Sequence, residues 1–402
     1  MISNNAVSAR AEDVARAAYG KLLAILAGRS GDIMAAEDAL SDAFVAALKT
    51  WPVRGIPDRP EAWLLAVAKN RRIDQARKAT RLVVTDEVPD MPAPAPDPDD
   101  GLDRRLQLLF VCAHPAIDAT LHTPLMLQTV LGLEAHEIAR AFMASPTAMA
   151  QRLVRAKRKV KAARIPFELP QPEDYPSRMG AVLEAVYGAY AVDWLEGCGD
   201  LSHEAFFLST ILADLSPDDP EALGLVALLS FIEARRGARM EDGMLVPVPQ
   251  QDVNLWDQRL VEYGRAALRR ASTFGRMGRF QLEAAIQAVH AARAETGQTD
   301  WRALSQLYAG LLQGFPTIGA AVAHAAVIAE DAGPAAALAL LDRIDAPSAY
   351  QPAYAVRAAC LADLGRLAEA AEAYQRAIDL CTDPPSRRWL ETKLSELKRR
   401  SS

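Results

Sequence analysis

The sequence predicts an all-α protein, and three observations carry that prediction. Half of the 402 residues are hydrophobic while only 6% are aromatic, the balance of Ala- and Leu-rich packed helices. Apolar residues recur at helical spacing along most of the chain, and no stretch alternates apolar and polar residues as a strand would. Two Pro-rich interruptions cut the helical pattern. A chain of this length exceeds one core. The interruptions assign 1–80 to a first helical domain, 81–103 to a linker, 104–168 to a second helical domain and 169–402 to a long helical extension.

The pattern predicts first-domain helices over 14–27 and 33–51, joined by "GRSGD", with Asp32 as N-cap and an apolar row at Leu40, Phe44, Ala47 and Trp51. "PVRGIPDRP" breaks the helix, and another runs from Pro60 to about Lys78. Its end, "KNRRIDQARKATR", sets six bases against one acid, either a solvated face or a polyanion contact. Trp51 and Trp63 bracket the loop; core packing is their favoured role, and stacking on unpaired bases is the alternative. "VVTDEVPDMPAPAPDPDDGLD" then brings five prolines, seven acids and no base, so it reads as a linker with little apolar surface to bury.

In the second domain, "SPTAMAQRLVRAKRKVKAAR" carries seven bases and no acid, in a chain whose formal net charge is −6. On a helical wheel Met149, Leu153, Ala156 and Val160 share one stripe, and Thr147, Gln151, Arg155 and Arg158 lie opposite. Gln and Arg can make bidentate hydrogen bonds to base edges in a major groove. Upstream, "EAHEIARAF" predicts a short helix with Ile138, Ala139 and Phe142 facing inward, and "MASP" turns the chain. The layout is that of a helix-turn-helix; a solvated basic helix is the bland alternative. Arg152, on the flank of the stripe, is open to pairing with Glu137 as well as to DNA. Lys157, Arg158, Lys159, Lys161 and Arg164 are expected to meet phosphates.

"IPFELPQPEDYP", with four prolines, reads as a second boundary. Beyond it "YAVRAACLADLGRLAEAAEAYQRAIDL" resembles a tetratricopeptide repeat. Small Ala358, Gly365, Ala370 and Ala377 face large Tyr354, Leu361 and Tyr374, and a looser copy turns at Gly333. The extension is therefore expected to be a tetratricopeptide-like α-solenoid.

Cys112, Cys198, Cys360 and Cys381 form no CxxC pair, so neither a disulfide framework nor a zinc site is expected. His114, His122, His136, His203, His290 and His324 have no metal-spaced partner or nucleophile, and no glycine-rich phosphate loop is present. The expectation is a protein without catalysis, metal or cofactor. The first residues lack a signal-like apolar run, and stretches such as "LGLVALLSFI" are too short to span a bilayer. A cytoplasmic protein without membrane contact follows.

Two basic helical units on an acidic tether, with "AEDALSDAFVAALKTW" and "RPEAWLLAVAKNRRIDQAR" in the first, resemble an extracytoplasmic-function sigma factor of the sigma-70 family. "FVCAHPAID", "EIARAFMASPTAMAQRLVRAKRKVKAARIPF" and "DDPEALGLVALLSFIEARRGAR" resemble the subgroup with a tetratricopeptide-like, DUF6596-like extension. The resemblance implies two sigma domains, regions 2 and 4, and a protein that binds core RNA polymerase and directs it to promoter DNA. It places Glu37, Asp38, Ser41, Asp42 and Phe44 on the polymerase clamp contact. Asn70, Arg71, Arg72, Asp74 and Arg77 fall at the minus 10 element, with loop 53–59 beside an extruded base. Thr147, Gln151, Arg152, Arg155 and Arg158 fall at the minus 35 element. It also implies a possible small YCII-like regulatory partner through the extension. The alternative is a tetratricopeptide scaffold that binds DNA without acting as a sigma subunit.

Overall fold

A computed structural model describes residues 18–79, 103–142, 144–196, 200–345 and 348–401. The linker expected over 81–103 lies outside them except for Asp103, as do Cys198 and the side chains of Arg72, Asp74 and Arg77. The described residues are almost wholly helical and form two compact units, Met1–Leu208 and Ser209–Ser402.

In the first unit, helix α1 (18–30) turns at Gly31, whose φ of 64° is the left-handed region that glycine tolerates, into α2 (Ile33–Arg54). Asp32 caps α2 as expected, its carboxylate accepting from the Ala35 N–H at 3.2 Å. Of the apolar row, Leu40, Ala47 and Trp51 are buried, while Phe44 is half-buried. Helix α2 stops at Gly55, and α3 (Pro60–Ala79) follows. Trp51 is 1% exposed and meets Trp63 edge-on at 5.7 Å, a core role for the pair.

The chain resumes with α4 (Arg104–Cys112), capped by Asp103, then α5 (His122–Thr129), α6 (Ala135–Ala141) and α7 (Pro146–Ala162). The break expected near 168 does not end the unit. Helix α8 (Tyr175–Glu196) folds back on α4 and α5, bringing Tyr175 against Phe110 at 5.3 Å and burying Val182, Leu183, Val186 and Tyr190. Its apolar face has nowhere else to go, because α4 buries almost every residue and needs a cover. Arg105, 7% exposed, is held by Asp103 at 2.5 Å and by Glu204 of α9 (Asp200–Leu215), with the Phe207 ring 5.6 Å from its guanidinium. The division between units falls inside α9.

The second unit is a series of helices packed in chain order: α10 (Pro220–Ala234), α11 (Gln258–Ser272), α12 (Arg279–Thr296), α13 (Trp301–Gly314), α14 (Ile318–Asp331), α15 (Pro334–Leu341), α16 (Gln351–Asp363), α17 (Leu367–Leu380) and α18 (Pro384–Ser401). Helices α16 and α17 pair around Ala358, Ala370 and Ala377, all fully buried, with Gly365 at φ 73° in the turn between them. The sequence missed one feature here, a hairpin of β1 (Met240–Glu241) and β2 (Met244–Leu245). Two residues per strand leave no alternation to detect. Arg293 of α12 donates to the carbonyls of Val248, Pro249 and Gln251 at 2.7–3.0 Å, and Arg388 of α18 donates to Gly243 at 3.0 Å. Those arginines tie the connection after α10 to both helices.

Because α8 completes the core around α4 and α5, a chain ending at residue 168 should lose its cooperative melting transition by circular dichroism, and one ending at 208 should keep it. In the full chain Leu183→Ala should cost about 2–5 kcal/mol in denaturant titration.

Candidate nucleic-acid interface

The interface is built on α6, the following turn and α7. Glu137 accepts from the Glu134 N–H at 2.6 Å and fixes the start of α6. The N–H of Phe142 closes on Ile138 at 3.0 Å and that of Ala144 on Ala139 at 2.8 Å, which ends α6. Pro146 then opens α7 at a position where its missing N–H costs nothing. Ile138 and Ala139 are fully buried. Phe142, expected inside, is 42% exposed, because it is the C-cap of α6 and the chain has already left the helical register.

Helix α7 seats its stripe as expected, with Met149, Leu153, Ala156 and Val160 each 4% exposed or less. Thr147, Gln151, Arg155 and Arg158 are exposed on the opposite side. Val154 is exposed as well, at about 140° from Met149 on a wheel of 100° per residue, which sets it about 20° from Thr147 at the edge of the sector that holds Thr147, Arg158 and Gln151. Reading the polar residues of that face alone passed over this valine, although its wheel position was available. An apolar side chain flanked by Gln and Arg is suited to a thymine methyl in a groove.

Arg152 does not pair with Glu137, which is engaged at the head of α6. It donates instead to the Thr120 hydroxyl at 2.9 Å. Thr120 in turn donates its hydroxyl and its N–H to Asp118, and these bonds, with Arg152 nearby, hold the Asp118 carboxyl below its usual range. Arg152 is therefore braced at the edge of the exposed face.

The basic run divides. Arg158, Lys159 and Arg164 are exposed. Lys157, expected on phosphate, is 6% exposed, its ammonium 2.5 Å from Glu37 of α2. At about 80° on the same wheel it flanks the apolar stripe, the sign that it turns inward. Lys161 keeps an exposed side chain yet reaches Asp32 at 2.7 Å. Burial alone would raise the Asp32 carboxyl, but hydrogen bonds from Lys161 and from the Ala35 N–H bring it below its usual value.

On α2, Asp38, Ser41 and Asp42 are exposed and Phe44 is half-buried, while Glu37 is turned toward Lys157. Val45 and Leu48, each 47% exposed, extend the same outer face with apolar surface. Their spacing from Ser41 and Asp42 marks them, but no charge drew notice to them. On α3, Asn70 and Arg71 are half-buried, and the backbone carries 72–79 onward as helix. Of the expected loop 53–59, Val53 and Arg54 belong to the last turn of α2, with Val53 84% exposed, and the loop itself opens at Gly55 with φ 88°.

Among the described residues no group of three or more His, Cys, Asp or Glu side chains could hold a metal ion, and no helix is long and apolar enough to cross a membrane. Residues 14–82 match the family Sigma-70 region 2, and residues 178–272 match a family of unknown function, DUF6596. The latter begins within α8, on the helix that covers α4 and α5. An uncharacterized protein of Rhizobium meliloti (strain 1021) is 37% identical over 379 residues, covering 90% of each chain. No solved structure matches the chain.

Proposed function

The chain belongs to the sigma-70 family and carries a DUF6596 C-terminal extension, and from that premise we propose that it is a promoter-specificity subunit of the extracytoplasmic-function type, working in the cytoplasm. Its outer α2 face, Asp38, Ser41, Asp42 and Phe44 with Val45 and Leu48, docks on the clamp of core RNA polymerase. The basic end of α3, from Asn70 and Arg71 through Arg72, Asp74 and Arg77, meets the minus 10 element. Helix α7 enters the major groove at minus 35. The protein supplies recognition, and bond formation is left to the polymerase.

One observation carries this reading: α7 anchors four apolar residues and presents Thr147, Gln151, Val154, Arg155 and Arg158 outward on a single exposed face. Gln151 and Arg155 have the donors for bidentate readout, and Arg158 and Lys159 lie where phosphates would be met. The exposed bases of that face fit a polyanion despite the chain's net charge of −6, because screening over about 8 Å makes the local field decisive. The extension is the part available to a regulatory partner.

Run-off transcription with core polymerase and the full chain tests the reading, since a sigma subunit yields discrete promoter-dependent starts. Their absence on every genomic template overturns it. Arg155→Ala should cost about 1–3 kcal/mol at one minus 35 base pair and relax choice there, whereas equal weakening on all templates would make Arg155 a phosphate ligand only. Uracil in place of thymine, one position at a time, removes the methyl that Val154 is expected to touch. One such position should lose about 0.8 kcal/mol, or about fourfold, with the natural chain and lose nothing with Val154→Ala.

A further inference from the structure

The second unit carries a basic surface of its own. Residues 258–280, "QRLVEYGRAALRRASTFGRMGRF", hold six arginines and one acid. Most of this stretch is α11, which packs on the almost wholly buried α10 through small residues, with Val261, Gly264, Ala267 and Ala271 buried. A Cβ on Gly264 would stand 3.1 Å from the Ala227 carbonyl oxygen, so the two helices are pressed together and the other side of α11 is held outward. On a wheel of about 100° per residue Arg259, Tyr263, Ala266 and Arg270 fall within about 60° of one another. All four are exposed.

Nearby carboxylates sort the six arginines. Arg265 is half-buried and paired with Glu262 and with Glu295, which ties α11 to α12, and Arg279 donates to Glu283 at 2.7 Å. Arg259, Arg269, Arg270 and Arg276 face outward. Asp257 is occupied as the N-cap of α11, accepting from the N–H groups of Arg259 and Leu260 at 2.9 and 3.3 Å. Arg270 stands 4.0 Å from the Asp218 carboxylate, which is 86% exposed, and Arg276 donates to the Asp218 carbonyl at 3.5 Å. Exposed pairs of that kind contribute little. Among the described residues no carboxylate pairs with Arg259 or Arg269. Burial, and then the Asp214 carboxylate, push the Tyr263 phenol upward and keep it neutral.

We propose that this face of α11 is a duplex-DNA contact of the extension, with Arg259 and Arg270 on phosphates at the two rims of a groove and Tyr263 and Ala266 between them. The identity of the polyanion rests on the sigma-factor reading above. All the bases of the face are arginines, whose planar fork of donors matches a phosphate. Arg259 and Arg270 are eleven residues apart, or about 16 Å along the helix, enough to straddle a major groove about 12 Å wide. The middle of the face is uncharged, as the space between two phosphate rims requires, whereas a continuous acidic peptide would need bases there. With phosphates as its main partners, the contact adds grip and register without sequence choice. The chain's net charge of −6 does not oppose it, because screening over about 8 Å leaves the local field in control.

The test uses the full chain and a 40-base-pair duplex without promoter elements, titrated at several salt concentrations. Arg259→Ala combined with Arg270→Ala should make the slope of log affinity against log salt shallower by about 1.8, at ~0.9 per phosphate contact, with the melting transition unchanged. Arg302→Ala, which removes an exposed base on α13, should leave the slope as it was. In the natural chain the duplex should slow phenylglyoxal modification of Arg259 and Arg270, read by peptide mass spectrometry, and leave Arg302 unprotected. An unchanged slope in the folded double variant, no protection by the duplex, or equal protection by polyglutamate overturns the DNA contact and leaves the sigma-factor reading standing. Protection by the duplex in a chain that gives no promoter-dependent start with core polymerase overturns the sigma-factor reading and supports the contact.

Discussion

A lysine ammonium enclosed between packed helices requires a carboxylate beside it, and Lys157 finds its carboxylate in Glu37, 120 residues away along the chain. That pairing joins α7 to α2 within the first unit. It fits the rotation of α7 that the apolar stripe imposes, with Met149 to Val160 buried and the Gln151 and Arg155 side left outward. It also brings the helix assigned to base reading against the helix assigned to polymerase docking. A removed partner would leave a buried charge at a cost of about 3–5 kcal/mol.

The extension is not a simple appendage. The DUF6596 match begins in α8, and α8 supplies the cover that α4 and α5 lack. The first helix of the extension is thus part of the core of the first unit, in which buried Arg105 is held by Asp103 on one side and Glu204 on the other. A partner that acted on α8 or the first half of α9 would be acting on the core that α4 and α5 share with them.

What was legible beforehand depended on local rules. The Asp32 cap, the α7 stripe and the Ala358–Ala377 pairing each follow from periodicity or capping within a few residues, whereas the helix expected to end at Trp51 runs through Pro52 to Arg54. The errors arose where a distant partner decides. Lys157 read as one more base in a basic run until Glu37 claimed it, and Arg152 found Thr120, 32 residues upstream, rather than Glu137. Phe142 was assigned by extending a helix that ends at its own position. The proline-rich stretch 165–176 looked like a boundary because composition reports flexibility of a connection, not where the next helix packs. Val154 carries no charge or hydrogen-bonding group that would mark it as a base contact in the sequence.

Hydroxyl-radical footprinting of the full chain, free and then bound to core polymerase and promoter DNA, tests the central claim that α7 reads promoter DNA through its exposed face. Val154 and Arg155 should lose reactivity on binding. Unchanged reactivity at both in a bound, initiating complex would contradict the assignment of α7 to promoter reading.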